Sequence, residues 1–570
     1  MEKGPRTEET GAVRKEWGGK IPIALVYPNL YRVAISNLGF QIIYQILNQN
    51  DDVVCERVFL PEAGSAPGQI RSWESRRPLS DFELIAVSLP YENDYLNLFQ
   101  LLKSASLPFF SRERSDSYPL LWGGGLALTL NPEPLADVLD LVVVGEGETP
   151  LRKLLETYRL VRGMSRAEIL KSLARVEGVY VPRGYFSAPA GREPLPDFPA
   201  RIKRQFTFPL TEYPGHSAIL TSRMEFGRSV LIEPIRGCGR MCRFCAAGYH
   251  YLPPRSRPVH RISGLILAQK EKARVGLLGA ALADYPEFSL LLEKINQAQL
   301  KITLSSLHGE ELTDADLARL SRGQARTLTL APESGSERLR LSVNKTSTDE
   351  QYLEAARKMV AFGIPHLRLY FLYGLPGEIP ADLRAIGDFV EKIQKQRRKE
   401  SRKVPGRLTV CLAPFVPKPA TPFQWCGMES ARDLKRKREE IIRSLRPVPQ
   451  VLIRTESITQ ARLEAFLGRA DRQMGKILEG GTFPEIKRLA LGDDIPWLQP
   501  PPDPGISFPW DIVDSGVTRG FLWQEWQNSH RGITTSPCSP RTEPASGEGR
   551  ALTCSRCGVC SIFSENNHEM

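Results

Sequence analysis

Three cysteines fall within eight residues, Cys238, Cys242 and Cys245, in the run Arg236-Gly237-Cys238-Gly239-Arg240-Met241-Cys242-Arg243-Phe244-Cys245-Ala246-Ala247-Gly248. Thiolates are soft ligands that select iron–sulfur clusters, zinc or copper(I) over hard cations. A loop this short can wrap three of them around one side of a metal centre, with Gly237, Gly239 and Gly248 permitting tight backbone turns. A structural zinc normally needs a fourth ligand, and none is adjacent. Three thiolates on a cubane leave one iron with an open coordination site, which is what chemistry needs. Three thiols packed as small hydrophobes would hardly be set among glycines with Arg240 and Arg243 between them.

A second group, Cys554, Cys557 and Cys560, with Cys538 upstream, is another metal candidate. Its spacing suits either an auxiliary iron–sulfur cluster or a small zinc knuckle. From Gly532 to Gly549 the chain is mostly Ser, Thr, Pro, Gly and Glu, a linker by composition, so metal rather than a core would order this end. The bland alternative is a set of free thiols in a frayed tail. Cys55, Cys411 and Cys426 read as ordinary buried cysteines.

The elements that must position these thiols read as two βα series. A chain of 570 residues suggests several units. Strands at Ile23–Tyr27, Leu84–Leu89, Leu120–Trp122 and Leu141–Val144 alternate with helix-length segments. They predict a doubly wound, flavodoxin- or cobalamin-binding-like parallel sheet over 21–177. Ser88, Gly123–Gly125 and Gly145 fall at the C-terminal ends of its strands. A Pro- and Arg-rich connector follows at 178–216. A second series, with strands at Val230–Ile235, Val275–Leu278, Ile302–Ser306, Thr327–Leu330, Leu367–Tyr373 and Leu408–Leu412, predicts a partial (β/α)6 barrel over 217–447. Functional residues belong at its strand C-termini. The three-cysteine loop directly follows the first of these strands. The remaining expectations are a disordered N-terminus at 1–20, a small α-rich region at 448–530 and a flexible cysteine-bearing tail at 531–570.

The Cys-x3-Cys-x2-Cys run, with an aromatic before its last cysteine and a six-unit barrel behind it, resembles the radical S-adenosylmethionine (SAM) superfamily. The motifs after the later strands agree in outline: Ala331-Pro332-Glu333-Ser334-Gly335, Tyr373-Gly374-Leu375-Pro376-Gly377-Glu378, and the run from Ala413 to Trp425. The layout is similar to the branch with an N-terminal cobalamin-binding-like domain and to the methylthiotransferases. The resemblance implies that Cys238, Cys242 and Cys245 hold a [4Fe-4S] cluster whose open iron takes the amino and carboxylate groups of SAM. It also implies reductive cleavage of SAM to methionine and a 5′-deoxyadenosyl radical. By the same resemblance Phe244 packs near the adenine, and Gly279-Ala280-Ala281 stands where the family carries Gly-Gly-Glu for the methionine amine. Glu333 accepts from the ribose, and Lys345 pairs with the SAM carboxylate. The partners implied are an electron donor such as flavodoxin or ferredoxin and an unidentified substrate (RNA, protein or small molecule).

The cobalamin-binding branch carries Asp-x-His-x-x-Gly after an early strand, and the matching stretch Asn29–Gly39 has no histidine. The expectation is that this domain keeps the fold and loses the corrinoid. Two other functions compete: a non-catalytic Fe–S or zinc module that binds RNA, and a cobalamin-dependent radical SAM methyltransferase. The formal net charge of +11 favours anionic partners without naming one. The basic stretches at 392–407 and 433–440 lack the interleaved aromatics of a base-stacking surface and read as solvated helix faces. Of the histidines before the tail, only His250, beside the cysteine loop, invites a test. Hydrophobic residues at 41% and charged ones at 25% exclude disorder throughout. No apolar run is long enough to cross a bilayer, and no export signal is visible, so the expected compartment is the cytoplasm.

Overall fold

The computed structural model describes residues 8–62, 70–188, 191–268, 274–304, 307–401, 405–538 and 554–560. The chain divides into two compact units. The first comprises Met1–Arg228, Phe466–Ala490 and Gly505–Gly516. Its sheet is built from β1 (Ile21–Leu30), β2 (Val53–Leu60), β3 (Leu84–Ser88), β4 (Leu120–Gly124), β5 (Leu141–Val143) and β6 (Val179–Tyr180), in the order β2-β1-β3-β4-β5-β6. All neighbours are parallel except β6, which runs antiparallel to β5. The first five strands thus follow the 2-1-3-4-5 winding of flavodoxin-like sheets. Residues 21–28 of β1 are all buried, as a strand covered on both faces must be. Helix α1 (Leu38–Asn48) begins at Asn37, whose side chain accepts the Phe40 N–H at 2.9 Å. Helix α2 (Asp94–Ser104) follows β3.

Residues 8–20, expected to be frayed, are fastened to this sheet. Lys15 Nζ donates to the carbonyls of Asn48, Asn50 and Val53 at 2.7, 2.7 and 3.0 Å, and Trp17 Nε1 donates to Glu56 at 2.8 Å. The end of α1 leaves carbonyls without helical partners, and an ammonium is a good donor for them. That long-range pairing is invisible in a locally polar sequence. Residues 1–7 lie outside the described residues.

The second unit comprises Ser229–Ala465, Leu491–Pro504 and Val517–Met570. It carries β7 (Ser229–Ile232), β8 (Arg274–Leu277), β9 (Lys301–Leu304), β10 (Thr327–Glu333), β11 (His366–Tyr373), β12 (Leu408–Pro414) and β13 (Val451–Thr455). Every paired neighbour is parallel, in a three-stranded sheet β7-β8-β9 and a four-stranded sheet β10-β11-β12-β13. The six strands expected from the sequence are present, and β13 is a seventh. It pairs with β12 from Leu408↔Val451 to Leu412↔Thr455 and lies in the stretch read as α-rich. It is an edge strand, with Leu452 39% exposed and Arg454 and Thr455 also exposed, so it lacks the apolar run that marked the others. Around the sheets stand α3 (Glu337–Ser342), α4 (Asp349–Ala361), α5 (Pro380–Glu400) and α6 (Arg519–Arg531). No helix among the described residues is long and apolar enough to cross a membrane.

Candidate metal centre

The cysteine loop leaves the C-terminal end of β7 and is closed at its base by a small antiparallel ladder, Ile235↔Ser256 and Arg236↔Arg255. Two positions take left-handed backbone. Gly237 sits at φ +87°, where a Cβ would stand 2.2 Å from the Tyr251 carbonyl oxygen. Met241, at φ +57°, holds that conformation without being glycine, its side chain fully buried. The Cys245 N–H donates to Cys242 O at 3.0 Å and the Gly248 N–H to Cys245 O at 3.2 Å, turning the chain into the short helix Ala247–His250. The Tyr249 hydroxyl, inside the protein, ties back to Met241 O at 3.1 Å.

Cys238 and Cys242 are buried and Cys245 is half-buried. Burial pushes the Cys242 thiol up to about 11, with the Lys345 ammonium acting against it. Burial also raises Cys238, where neighbouring Cys242 and Cys245 add to the effect and the Arg240 N–H opposes it. It raises Cys245 too, against the N–H groups of Gly248 and Ala247. The three sulfurs therefore sense one another across one small volume. Among the described residues no three His, Cys, Asp or Glu side chains converge tightly enough for a single metal ion. The donor set, three soft sulfurs on one short loop with backbone N–H groups facing Cys238 and Cys245, fits a three-thiolate cluster.

Two arginines inside the loop brace it. Arg240 forks across Asp284 and Glu311, with Nε 2.9 Å from Asp284 Oδ2. Arg243 has no exposed side-chain surface. It donates to Glu525 at 3.1 Å, to the carbonyls of Leu341 and Ser342 at 3.3 and 2.8 Å, and to the Ile533 carbonyl. Asn344, left-handed at φ +62°, donates to the carbonyls of Arg240, Met241 and Thr535, and its Oδ1 accepts the Thr535 N–H at 2.8 Å. The Cys538 N–H donates to Gly239 O at 2.8 Å, and a Cβ on Gly239 would lie 1.9 Å from the Cys538 carbonyl oxygen. Gly239 thus lets another backbone lie against the loop. Arg240, Asn344, Asp284, Glu311 and Glu525 were not singled out from sequence as functional. The only local hint was the pair of arginines between metal-type cysteines.

The residues assigned to SAM by resemblance cluster in part. Lys345 Nζ lies 3.4 Å from Glu333 Oε1 and donates to the Ala331 carbonyl at 3.0 Å, both side chains largely buried. Burial works against the ammonium, but Glu333 and then Cys242 outweigh it, so Lys345 is shifted upward and stays charged beside the thiols. A lysine has three donors, and two are accounted for by these contacts. Gly279-Ala280-Ala281 follows β8 and leads into the turn Leu282–Asp284 that supplies Asp284 to Arg240. Phe244 is half-buried against the apolar cluster of Leu339, Val343, Leu375 and Phe415. The motif turns after β11 and β12 meet at a cavity of about 360 Å³ lined by Gly374, Glu378, Trp425, Glu429, Trp526 and His530.

Elsewhere the sequence groups divide. Cys538 is placed on Gly239, whereas the Cys557 carbonyl accepts the Thr518 N–H at 2.9 Å where α6 begins. The linker between them, 539–553, lies outside the described residues. His250 is buried on its short helix. On the basic face, Lys392 pairs with Asp349, Lys395 with Glu391, and Arg436 with Asp433, while buried Arg397 donates to the Pro365 and Gly406 carbonyls. In the first unit, a Cβ on Gly125 (φ +114°) would meet Leu89 O at 2.6 Å, and one on Gly145 (φ +104°) would meet Gln205 O at 2.2 Å. These two glycines admit the protein's own backbone.

Comparison with known proteins agrees with this layout. Residues 39–182 match the family described as radical SAM proteins, N-terminal, and residues 232–390 match the radical SAM superfamily. An uncharacterised protein of Methanocaldococcus jannaschii is 26% identical over 482 residues, covering 83% of this chain and 94% of that one. A tRNA-2-methylthio-N(6)-dimethylallyladenosine synthase of Caldicellulosiruptor saccharolyticus is 30% identical over 195 residues, 31% of this chain and 40% of the synthase. Among solved structures, the cobalamin-dependent SAM radical enzyme OxsB with aqua-cobalamin bound aligns with a TM-score of 0.46 and 15% identity, covering 65% of this chain and 52% of that one. The chain spans about half or less of the length of the synthase and of OxsB.

Proposed function

From the premise that the chain belongs to the radical SAM superfamily of enzymes, we propose that Cys238, Cys242 and Cys245 hold a [4Fe-4S] cluster and that the protein binds and cleaves SAM to modify a substrate. The observation that carries this reading is the trio of thiols, two buried and one half-buried, in one braced loop with the Lys345 ammonium beside them. When bound and reduced, the cluster supplies the electron that divides SAM into methionine and a 5′-deoxyadenosyl radical. The electron comes from an external donor of the flavodoxin or ferredoxin class.

The chain's own residues do the rest. Lys345 offers its remaining donor to an incoming carboxylate, and Glu333 keeps that ammonium charged in a buried site. Gly279–Ala281 present backbone at the end of β8, where a side chain on Gly279 would press on Leu282 and Ile235. Phe244 offers an apolar face toward an adenine. Arg240 and Arg243 hold the loop in shape without being ligands. A His-ligated corrinoid does not fit the first unit: residues 29–39 contain no histidine, and the Gly125 and Gly145 turns are filled by Leu89 and Gln205. On the basic helix faces Lys392, Lys395, Arg436 and Arg397 are engaged by local carboxylates and carbonyls, which lends the RNA-binding alternative no support.

The test is anaerobic reconstitution with iron and sulfide, reduction in the presence of SAM, and chromatographic assay of 5′-deoxyadenosine. We expect product from the full chain and none from Cys242→Ala. Absence of product from the full chain, beside an active control enzyme, would sink the reading.

A further inference from the structure

We propose that Cys554, Cys557 and Cys560 form a second metal centre, a four-iron cluster held by three thiolates and mounted where α6 begins. The inference does not depend on SAM chemistry at the first loop.

Four observations carry it. The spacing Cys-x2-Cys-x2-Cys is that of the first three cysteines of a bacterial ferredoxin run, which place three thiolates on one cubane. Zinc sites instead pair two Cys-x2-4-Cys or His-x3-5-His knuckles, and no second knuckle adjoins this one in sequence. Next, the loop is shaped for sulfur. The Arg556 N–H donates to Cys554 Sγ at 3.3 Å, and the Val559 N–H faces the Cys557 sulfur. Each N–H lies two residues beyond its cysteine, the relation that Arg240 bears to Cys238 and Ala247 to Cys245 in the first loop. Hydrogen bonds to the sulfurs are among the means by which a protein tunes such clusters. Third, Arg556 (φ +57°) takes left-handed backbone directly before Cys557, as Met241 does directly before Cys242, and Gly558 (φ +103°) turns the chain again before Cys560.

The last observation concerns what holds the loop. Among its anchors are the Thr518 N–H on the Cys557 carbonyl and the buried side chains of Cys557 and Val559. Thr518 is the N-cap of α6, accepting the Phe521 N–H at 3.3 Å. Two buried side chains recover little of the entropy of ordering seven residues, and bound metal is the ordinary way such a segment is fixed. Because α6 also supplies Glu525 to Arg243, one helix links the second loop to the bracing of the first.

The experiment measures iron, acid-labile sulfide and zinc per full-length chain after anaerobic reconstitution, with electron paramagnetic resonance of the reduced protein. The expected content is about eight irons, two four-iron clusters. We expect about half of that, with a cubane-type signal retained, from Cys238→Ala/Cys242→Ala/Cys245→Ala. The Cys554→Ala/Cys557→Ala/Cys560→Ala triple should lose the other half. The proposal is overturned if the C-terminal triple keeps the wild-type iron and sulfide, if the first-loop triple retains none, or if the first-loop triple carries one zinc in place of iron. If the C-terminal triple does not fold, the exposed Cys554→Ser single variant must alter the second signal, and an unchanged spectrum also overturns the proposal. A first-loop triple with full iron content would sink the first-loop assignment and leave this one standing.

Discussion

The two cysteine loops of the second unit share local geometry and differ in what surrounds them. Each has a left-handed residue before its second cysteine, Met241 and Arg556, and each aims an N–H at a sulfur two residues back. The first is enclosed: Arg243 without exposed surface, Arg240 forked over two carboxylates, Asn344 reaching three carbonyls, and Met241 fully buried. The contacts of the second include the Thr518 N–H on the Cys557 carbonyl and the buried side chains of Cys557 and Val559, with Arg556 exposed. The same metal-shaped turn can thus be fixed in advance by the protein or left for the metal to fix. A site that must offer an open corner to a ligand gains from the former, because geometry held beforehand need not be ordered at the moment of binding.

The largest effect that tests this contrast belongs to Arg243→Ala. The change leaves the Glu525 carboxylate buried beside the space its partner occupied and strips donors from the Leu341, Ser342 and Ile533 carbonyls. Breaking a buried pair by removing one member costs about 3–5 kcal/mol. The measurement is the urea midpoint of the metal-free chain together with hydrogen exchange over 236–248. A midpoint equal to wild type would show that the first loop is not fixed in advance.

Met241→Gly comes next. Glycine relieves a left-handed backbone costing about 1–2 kcal/mol, but the substitution deletes a side chain that is completely buried, a loss of about 2–5 kcal/mol. The net expectation is destabilisation of about 1–3 kcal/mol by the same denaturation assay. A stabilised variant would mean that strain rather than packing governs this loop.

How much of this was legible in the sequence follows from the range of the interactions. The six buried strands and the cysteine spacing are local patterns, and the structure has both. Glu333 and Lys345 were assigned by resemblance, and the fold brings them to 3.4 Å of one another, a pairing that spacing alone did not state. Asn344 and Cys538 could not be read, because what they do depends on residues nearly two hundred and three hundred positions away along the chain: Thr535 meets Asn344, and Cys538 meets Gly239. Cys538 was grouped with the C-terminal trio because it is nearest to it in sequence, while the described contact of its backbone is with the first loop. The seventh strand was missed because an exposed edge carries little apolar signal.

The smallest effect is the most discriminating, because it repeats one substitution in the other loop. Arg556 sits at φ +57° as Met241 does, yet its side chain is exposed, so Arg556→Gly removes strain without emptying a core. The backbone N–H that donates to Cys554 Sγ is retained in glycine. The left-handed relief of about 1–2 kcal/mol is partly offset by the roughly 0.5–1 kcal/mol that a more flexible unfolded chain costs. A gain of about 0.5–1 kcal/mol remains. It should appear as slower hydrogen exchange over 554–560 in the reconstituted chain, opposite in sign to the Met241→Gly effect on 236–248. Equal and destabilising responses in both loops would mean that Arg556 makes contacts comparable to those of Met241, and the contrast between an enclosed loop and a metal-ordered one would no longer hold.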